Sequence, residues 1–197
     1  LLRKRAKFRD RASLEEFEIL PERGINKTMI RQLQGLHFMD NFENIIFYGK
    51  TGAGKTFLAQ AIGYTACGAG RDAMFVSVDI LFHQLEIATK NGMYLNLLNR
   101  LSKTQLLIID DFGLRNYSHH EATILCQLLE NRYRKNSTII TSQVKPKGWK
   151  SLFEDPVIAD AIIDRAESCA HLIEIKIKGD DTYRKNFSPK KKISIDG

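Results

Sequence analysis

Short apolar runs alternate with amphipathic stretches along most of the chain. Four runs have the length and composition of buried strands, at residues 44–48, 73–78, 106–111 and 137–142. A fifth stretch, 171–177, alternates apolar and polar residues, which predicts a strand near the edge of a sheet. Segments with helical periodicity lie between these strands. The pattern therefore predicts an α/β fold, a three-layer αβα sandwich with a five-stranded parallel sheet.

Several helices carry recognisable start signals. Ser118 and Glu121 have the spacing of a capping box before an apolar periodic run. Asp155 precedes a proline, as at the first turn of many helices, and predicts a helix over 157–166. Asp79 can cap the helix after the second strand. Residues 27–41 have the pattern of a single amphipathic helix leading into the first strand.

The first strand leads into a phosphate-binding motif. The stretch Gly49-Lys50-Thr51-Gly52-Ala53-Gly54-Lys55-Thr56 matches the pattern G-x-x-x-x-G-K-[ST] at every fixed position. In such a loop the backbone N–H groups hold phosphate oxygens, Lys55 bridges the β- and γ-phosphates, and the Thr56 hydroxyl ligates Mg²⁺. A glycine-rich surface turn is the alternative. We predict an ATP site formed by this motif and Phe57, the first residue of the helical pattern that follows.

Two carboxylates follow the most apolar strand. Asp110 and Asp111 stand at the carboxyl end of residues 106–109, the end at which open α/β sheets place their ligands. Asp110 fits the acid that positions Mg²⁺ opposite a phosphate loop, acting through water. Asp111 fits the group that orients or deprotonates the attacking water. A helix cap or an exposed turn is the alternative for this pair.

The amino-acid composition bears on the partner of the protein and on its cellular compartment. The 197 residues carry a net charge of +7 and a pI near 9.3, which indicates a polyanionic partner such as nucleic acid, or simply a soluble basic protein. Three widely spaced cysteines predict reduced thiols and a cytoplasmic location. No apolar run is long enough to cross a bilayer, so we expect no membrane association.

The chain is expected to have three parts. Residues 1–26 are predicted to form a basic N-terminal arm, the remnant of an upstream DNA-binding region, and residues 1–12 could instead contact DNA phosphates. Residues 27–178 form the ATPase domain, and residues 179–197 a basic polar tail. Because the chain does not begin with Met, we expect its native N-terminus to lie upstream.

Several ordered motifs resemble one family. The run 107–113 (Leu-Ile-Ile-Asp-Asp-Phe-Gly) is followed by Asn-Arg-Tyr at 131–133, by 137–143 (Ser-Thr-Ile-Ile-Thr-Ser-Gln), by 161–165 (Ala-Ile-Ile-Asp-Arg) and by Thr-Tyr-Arg at 182–184. Together these resemble the IstB family, the AAA+ helper ATPases of insertion-sequence transposition, which are similar to DnaC replicative helicase loaders. The resemblance covers about residues 10–186.

The resemblance implies roles for further residues. ATP would lie between neighbouring subunits of an oligomer, with Arg165 supplied in trans to the neighbour's γ-phosphate; a salt bridge at a helix end is the alternative. Ser142, on a strand between those of the phosphate loop and Asp110, would be the first γ-phosphate sensor. The stretch 79–103 matches the segment that faces DNA in related proteins, with candidate contacts at Lys90, Arg100 and Lys103. Arg132 and Arg134 would lie near the subunit interface, without assigned roles.

Two departures from the AAA+ pattern change the expected activity. Many AAA+ proteins have Glu at the position of Asp111, whose side chain is one methylene shorter, so we expect slow hydrolysis. The residues after 177 are too few for a C-terminal helical lid of ordinary size.

The resulting hypothesis is an ATPase that assembles on double-stranded DNA and recruits and stimulates the transposase of an insertion sequence. A helicase loader with the same ATPase, a small-molecule kinase and a nucleotide-gated binding module remain as alternatives.

Overall fold

The centre of the fold is one parallel sheet. The computed structural model describes residues 1–19 and 21–177. The sheet consists of β1 (Asn44–Tyr48), β2 (Ala73–Ser77), β3 (Leu106–Phe112), β4 (Ser137–Ser142) and β5 (Ala170–Glu174). Its order is β2-β3-β4-β1-β5, and every pairing is parallel. The strand β4 therefore lies between β1 and β3, as the sequence predicts, and β5 forms one edge.

Helices connect the strands in the described part of the chain. They are α1 (Leu2–Arg5), α2 (Lys27–Gly35), α3 (His37–Asp40), α4 (Lys55–Gly68), α5 (Val78–Lys90), α6 (Tyr94–Lys103), α7 (His119–Arg132) and α8 (Pro156–Glu167), with 3₁₀ helices at Pro21–Arg23 and Pro146–Leu152. Two predicted starts are confirmed. Ser118 and Glu121 form the capping box of α7, and the Asp155 carboxylate accepts hydrogen bonds from the first turn of α8.

The helices cover both faces of the sheet. Ile45 and Phe47 of β1 face α4, and Ile46, between them, faces the side of α7 and α8. Alternate residues of the central strands therefore enter two separate apolar cores, which explains their continuous apolar composition. The three-layer αβα fold is thus confirmed. In the described residues only 175–177 follow β5, so no lid helix is present there; the predicted tail, 179–197, lies outside the described residues.

Two local predictions are wrong. The stretch 27–41 is not one helix, because Leu36 adopts φ +56° and separates α2 from α3. Asp79 does not cap α5, whose N-cap is Ser77; the Asp79 carboxylate instead accepts a hydrogen bond of 2.9 Å from Arg115 Nε. The sequence shows a suitable capping residue but not the competing basic partner, which lies 36 residues away.

The N-terminal segment differs from the separate arm that the sequence predicts. Ala12, Leu14 and Phe17 are buried in the same apolar core as α4. The carbonyl oxygen of Ala6 accepts a hydrogen bond of 2.8 Å from Phe75 N in β2. Scattered apolar residues thus attach this basic segment to the domain, and the boundary at residue 26 does not separate two units in the described structure.

Candidate nucleotide-binding site

The loop between β1 and α4 has a backbone that requires glycine. Gly49 has φ +143°, and a Cβ atom there would lie 2.1 Å from the carbonyl oxygen of Ile175. Gly54 has φ +98° and is the N-cap of α4. The loop therefore opens directly onto the first turn of a helix, where free N–H groups and the helix dipole favour phosphate.

Lys55 lies folded within this loop. Its Nζ atom donates hydrogen bonds to the carbonyl oxygens of Gly49 (2.7 Å) and Lys50 (2.9 Å), and the residue is buried. The ammonium group is thus held at the loop, where phosphate oxygens would be stronger partners than carbonyl oxygens.

The Asp110 carboxylate connects α4, β3 and β4. Its Oδ1 atom accepts hydrogen bonds from Thr56 Oγ1 (2.9 Å) and Thr141 Oγ1 (2.5 Å). Its Oδ2 atom is buried and has no hydrogen-bond partner among the described residues. Burial raises the pKa of Asp110 above its usual value, an effect that the two threonine hydroxyls only partly offset.

This arrangement fits a hydrated Mg²⁺ ion. The Thr56 hydroxyl, at the start of α4, and the Asp110 carboxylate are in direct contact. Asp110 also presents one carboxylate oxygen without a hydrogen bond from the described residues. Mg²⁺ usually takes one or two protein oxygens together with waters and nucleotide phosphates. Thr56 and Asp110 are therefore the residues that would hold it.

Asp111 adopts a strained backbone conformation at the end of β3. Its φ is +60°, and the pairing of β3 with β4 shifts register between Ile109 and Phe112. The Asp111 N–H donates a hydrogen bond of 3.1 Å to Thr141 Oγ1. The side chain remains 44% exposed, so its carboxylate faces solvent beside the phosphate loop rather than the core.

A cleft of about 580 Å³ joins these groups. Its walls are the phosphate loop, the first turns of α4, Asp111, the end of β4 and residues 9–11. Its volume lies within the usual range for small-molecule and cofactor sites. Arg9 lies beside both acids, a contact that sequence reasoning missed because it joins segments about a hundred residues apart.

Two hydroxyl residues end β4 and point to opposite faces of the sheet. Thr141 lies on the α4 face and contacts both Asp110 and the Asp111 backbone. Ser142 Oγ accepts hydrogen bonds from Val144 N (3.1 Å) and Trp149 Nε1 (3.2 Å), although the residue also lines the cleft. Thr141 was not among the predicted site residues. The two-residue period of a strand could have identified it, since it places Thr141 on the same face as Asp110.

Arg165 lies at the other end of the sheet. Asn44, the first residue of β1, donates a side-chain hydrogen bond of 3.3 Å to the Arg165 carbonyl oxygen, whereas the phosphate loop follows the last residue of β1. The length of the strand, roughly 15 Å, separates these positions. The guanidinium pairs with Glu130 (2.5 Å) and Asp164 (3.1 Å), and the hydrogen bond that it donates to Glu130 is the main cause of the raised pKa of Arg165.

The basic residues named from the resemblance have different surroundings. Lys90 pairs with Glu86 one turn earlier on α5, at 2.7 Å. Arg100 and Lys103 are exposed near the end of α6, beside Arg5. Arg132, in contrast, is fully buried and therefore does not lie at an exposed interface. Arg134 is exposed, with its guanidinium 5.1 Å from the centre of the Tyr133 ring.

Comparison with known proteins identifies a family of ATP-binding proteins. The chain matches the family of IstB-like ATP binding proteins over residues 2–191. It is 37% identical over 170 residues to an insertion sequence ATP-binding protein of Sinorhizobium fredii, with 86% of this chain and 69% of the relative covered. The ATP-binding protein of insertion sequence IS21 from Pseudomonas aeruginosa is also 37% identical, over 172 residues that cover 87% of this chain and 64% of the relative. The chain thus spans about two thirds of the length of these relatives.

Solved structures share the fold. DnaI has a TM-score of 0.71 at 22% identity, with 84% of this chain and 91% of that chain covered. The DnaC helicase loader has a TM-score of 0.67 at 21% identity, with 84% and 97% covered. DnaA from Aquifex aeolicus, bound to AMPPCP, has a TM-score of 0.71 at 22% identity, with 90% and 53% covered. From its sequence match and its AAA+ fold, the chain belongs to the IstB-like ATP-binding protein family.

Proposed function

We propose that this chain is the ATPase part of a helper protein for insertion-sequence transposition. The observation that carries the proposal is the placement of Lys55 and Asp110 at one end of the sheet and Arg165 at the other. A subunit with this arrangement needs a neighbour to bring an arginine to its nucleotide. ATP-dependent assembly is therefore part of the proposed function.

Each residue of the cleft has a chemical task in ATP hydrolysis. Lys55 and the loop N–H groups bind the phosphates, and Thr56 and Asp110 would hold Mg²⁺, which would supply positive charge opposite the phosphate oxygens. Asp111 orients and deprotonates the attacking water, and its short side chain predicts slow turnover. Thr141 fixes both acids by its contacts with the Asp110 carboxylate and the Asp111 N–H. Ser142, at the strand end beside it, would sense the γ-phosphate.

Arg165 would complete the site of the adjacent subunit. A guanidinium near the γ-phosphate stabilises charge that develops in the transition state. The pairing with Glu130 holds Arg165 at the surface of its own subunit, where an approaching neighbour could take it over.

Double-stranded DNA and a transposase are the proposed partners. Support comes from the net charge of +7 and from relatives named as insertion sequence ATP-binding proteins. Lys90, Arg100 and Lys103 are the proposed DNA contacts. A helicase-loader role finds less support, since the DnaC helicase loader in the comparison shares only the fold, at 21% identity.

Mixed subunits provide the sharpest test of this proposal. ATP turnover and particle size are measured together, with and without duplex DNA. Lys55→Ala should lose nucleotide binding, and Arg165→Ala should keep binding but lose turnover and assembly. Because each variant retains what the other lacks, a mixture should recover part of the turnover. Normal turnover by Arg165→Ala alone, or a mixture no more active than its components, would contradict the trans arrangement.

Partner identity needs a separate measurement. The proposed function expects added transposase to join the ATP- and DNA-dependent particle and its strand-transfer activity to rise. Binding of a replicative helicase without any effect on the transposase would favour the loader instead. A chain that stays monomeric and whose turnover ignores DNA would contradict both.

A further inference from the structure

The N-terminal segment forms a strap across one side of the nucleotide cleft. We define the strap as residues 6–10. Its first residue, Ala6, accepts the backbone hydrogen bond from Phe75 of β2. Its next anchor is Phe8, whose ring stacks on Tyr64 of α4 with 4.5 Å between ring centres. The strap is therefore attached both to an edge strand and to the helix that follows the phosphate loop.

Gln60 provides the anchor nearest the cleft. Its side chain lies on α4, and the residue is only 2% exposed. The Oε1 atom accepts hydrogen bonds from both Arg9 N (2.7 Å) and Asp10 N (3.2 Å). A buried amide oxygen that accepts two backbone N–H groups fixes the position of the strap. The direction in which the Arg9 side chain leaves the backbone is fixed with it.

Arg9 extends from this anchor to the two acids. Its Nη1 atom lies 3.7 Å from Asp110 Oδ2 and 3.7 Å from Asp111 Oδ2. Asp110 Oδ2 is the buried carboxylate oxygen that has no hydrogen-bond partner among the described residues. The guanidinium carbon also lies 5.4 Å from the centre of the Phe75 ring, a cation–π distance.

A hydrated Mg²⁺ ion at Thr56 and Asp110 needs the same oxygen. A guanidinium and a divalent cation repel one another strongly at such short range, above all beside buried groups where water screens little. Both cations therefore cannot occupy the space beside Asp110 Oδ2. The Arg9 side chain is 46% exposed, so it has room to leave the acids without movement of the strap.

We propose that Arg9 is a built-in competitor of Mg²⁺ at the acidic pair, held in place by Gln60. The inference rests on the proposed function, because it requires that the cleft binds a nucleotide with Mg²⁺. Arg9 raises the Mg²⁺ concentration that the site needs and keeps the two carboxylates paired until metal and nucleotide arrive together. It acts on the metal and not on the phosphates.

Nucleotide binding measured against Mg²⁺ concentration tests this proposal without a turnover measurement. The probe is a fluorescent, non-hydrolysable ATP analogue, whose affinity is determined in EDTA and across a Mg²⁺ titration. For Arg9→Met we expect the half-saturating Mg²⁺ concentration to fall about threefold or more, the scale of a lost ion pair in which one partner is half exposed. The affinity in EDTA should stay within about twofold, since the acids, and not the phosphates, lose a partner.

Two further variants separate the strap from general charge. Gln60→Leu removes the anchor but keeps the Arg9 charge, and should lower the half-saturating Mg²⁺ concentration in the same direction. Lys7→Met is the matched control, because Lys7 is an exposed basic residue of the same strap that does not line the cleft. Its half-saturating Mg²⁺ concentration should match that of the unmodified chain.

The outcomes distinguish this inference from the proposed function. If the unmodified chain binds no nucleotide at any Mg²⁺ concentration, the proposed function fails and the inference with it. If it binds but Arg9→Met has an unchanged Mg²⁺ requirement, only the inference fails. A large loss of affinity in EDTA for Arg9→Met would also overturn it, since Arg9 would then bind the phosphates. Arg9→Met alone decides the question if Gln60→Leu does not fold, because the Arg9 side chain is half exposed.

Discussion

At the scale of single residues, the Asp110 carboxylate shows how a functional group can oppose stability. It is completely buried, it receives two hydroxyl hydrogen bonds on one oxygen, and the other oxygen has only the more distant Arg9 beside it. Burial raises its pKa despite the nearby cation. Keeping this group ionised therefore costs the folded chain free energy, and the proposed Mg²⁺ site would be the reason to retain it.

We predict that Asp110→Asn stabilises the fold while it removes Mg²⁺-dependent nucleotide binding. An amide still accepts both threonine hydrogen bonds but needs no ionisation, so the free energy of unfolding should rise by about 1 kcal/mol at neutral pH. The pKa of Asp110 is higher in the folded chain than in the unfolded chain. The gain in stability should therefore vanish at a pH below the unfolded-state pKa and be complete at a pH above the folded-state pKa. Denaturant unfolding from pH 3 to pH 8 measures it, and a loss of stability at pH 7 would contradict the argument.

The sequence predicts some residues of the site but not others. The phosphate loop is local, so its position between β1 and α4 follows from eight consecutive residues. Thr141 and Arg9 join the site only through folding, across 31 residues of sequence in one case and 101 in the other. No local spacing shows such contacts, although strand periodicity could have selected Thr141 over Ser142 for the face of Asp110.

At the scale of elements, helix ends depend on distant partners more than on local preference. The capping box of α7 and the Asp155 cap of α8 were predictable because the cap and the bonded N–H groups lie within three residues. The break at Leu36 was not predictable in this way: α2 ends at Gly35, but the left-handed backbone conformation falls on Leu36 and not on the glycine. The C-terminal end of α6 was not predictable either, because its carbonyl oxygens accept hydrogen bonds from a side chain of α7.

Arg132 of α7 is the side chain that bonds to the end of α6. We predict that Arg132→Met destabilises the fold by about 3 kcal/mol or more. Its guanidinium donates to the carbonyl oxygens of Leu101 (2.6 Å) and Thr104 (2.8 Å), and to Thr138 Oγ1 (2.9 Å) in β4. Burial lowers its pKa to about 9, so the group is still charged at neutral pH. Methionine would fill the space but leave these buried acceptors unpaired.

Arg134→Met is the matched control for this prediction. Arg134 lies two residues further along and is exposed, so its replacement should change the free energy of unfolding by no more than about 0.5 kcal/mol. Both variants are compared by denaturant unfolding. Equal stabilities for the two would show that Arg132 does not support the junction of α6 with β4.

The contact between α7 and α8 leads to a prediction about assembly. Glu130 on α7 holds Arg165 on α8, the residue proposed to serve the neighbouring subunit. Glu130→Gln should release the guanidinium and lower the protein concentration for half-maximal ATP turnover by about two- to fivefold, the range for an exposed ion pair. Turnover is measured across a protein dilution series in the presence of DNA.

Glu167→Gln is the control for the release of Arg165. It removes one negative charge from α8, the helix that carries Arg165, but the described residues show no pairing of Glu167 with Arg165. The concentration for half-maximal turnover should therefore stay as in the unmodified chain. An increase in that concentration for Glu130→Gln would mean that Glu130 supports assembly and does not restrain it.

At the scale of the whole molecule, the length of the sheet separates the phosphate loop from Arg165 and from the basic end of α6. The layers and the parallel sheet were predictable, because buried parallel strands require apolar runs, whereas the place of β4 between β1 and β3 was implied by the family resemblance. The attachment of the N-terminal segment was not, since its charges hide the few apolar residues that pack on α4. The hydrophobic pattern thus predicts the strands and helices of the core better than it predicts the segments that pack against them.

The last prediction concerns the charge of the molecule and DNA. If the net charge of +7 serves DNA binding, affinity for duplex DNA should fall steeply with salt, because each phosphate contact releases counterions. Replacement of Arg100 and Lys103 by Ala should lower the slope of log K against log salt concentration by about two, one for each lost contact. Lys90→Ala should have a smaller effect, because Glu86 already offsets its charge.

A double Lys135→Ala and Lys147→Ala variant removes the same charge from other exposed positions and should leave the slope nearly unchanged. Equal slopes for the two double variants would mean that the end of α6 does not contact DNA, and a flat salt response of the unmodified chain would remove the electrostatic argument for DNA binding altogether.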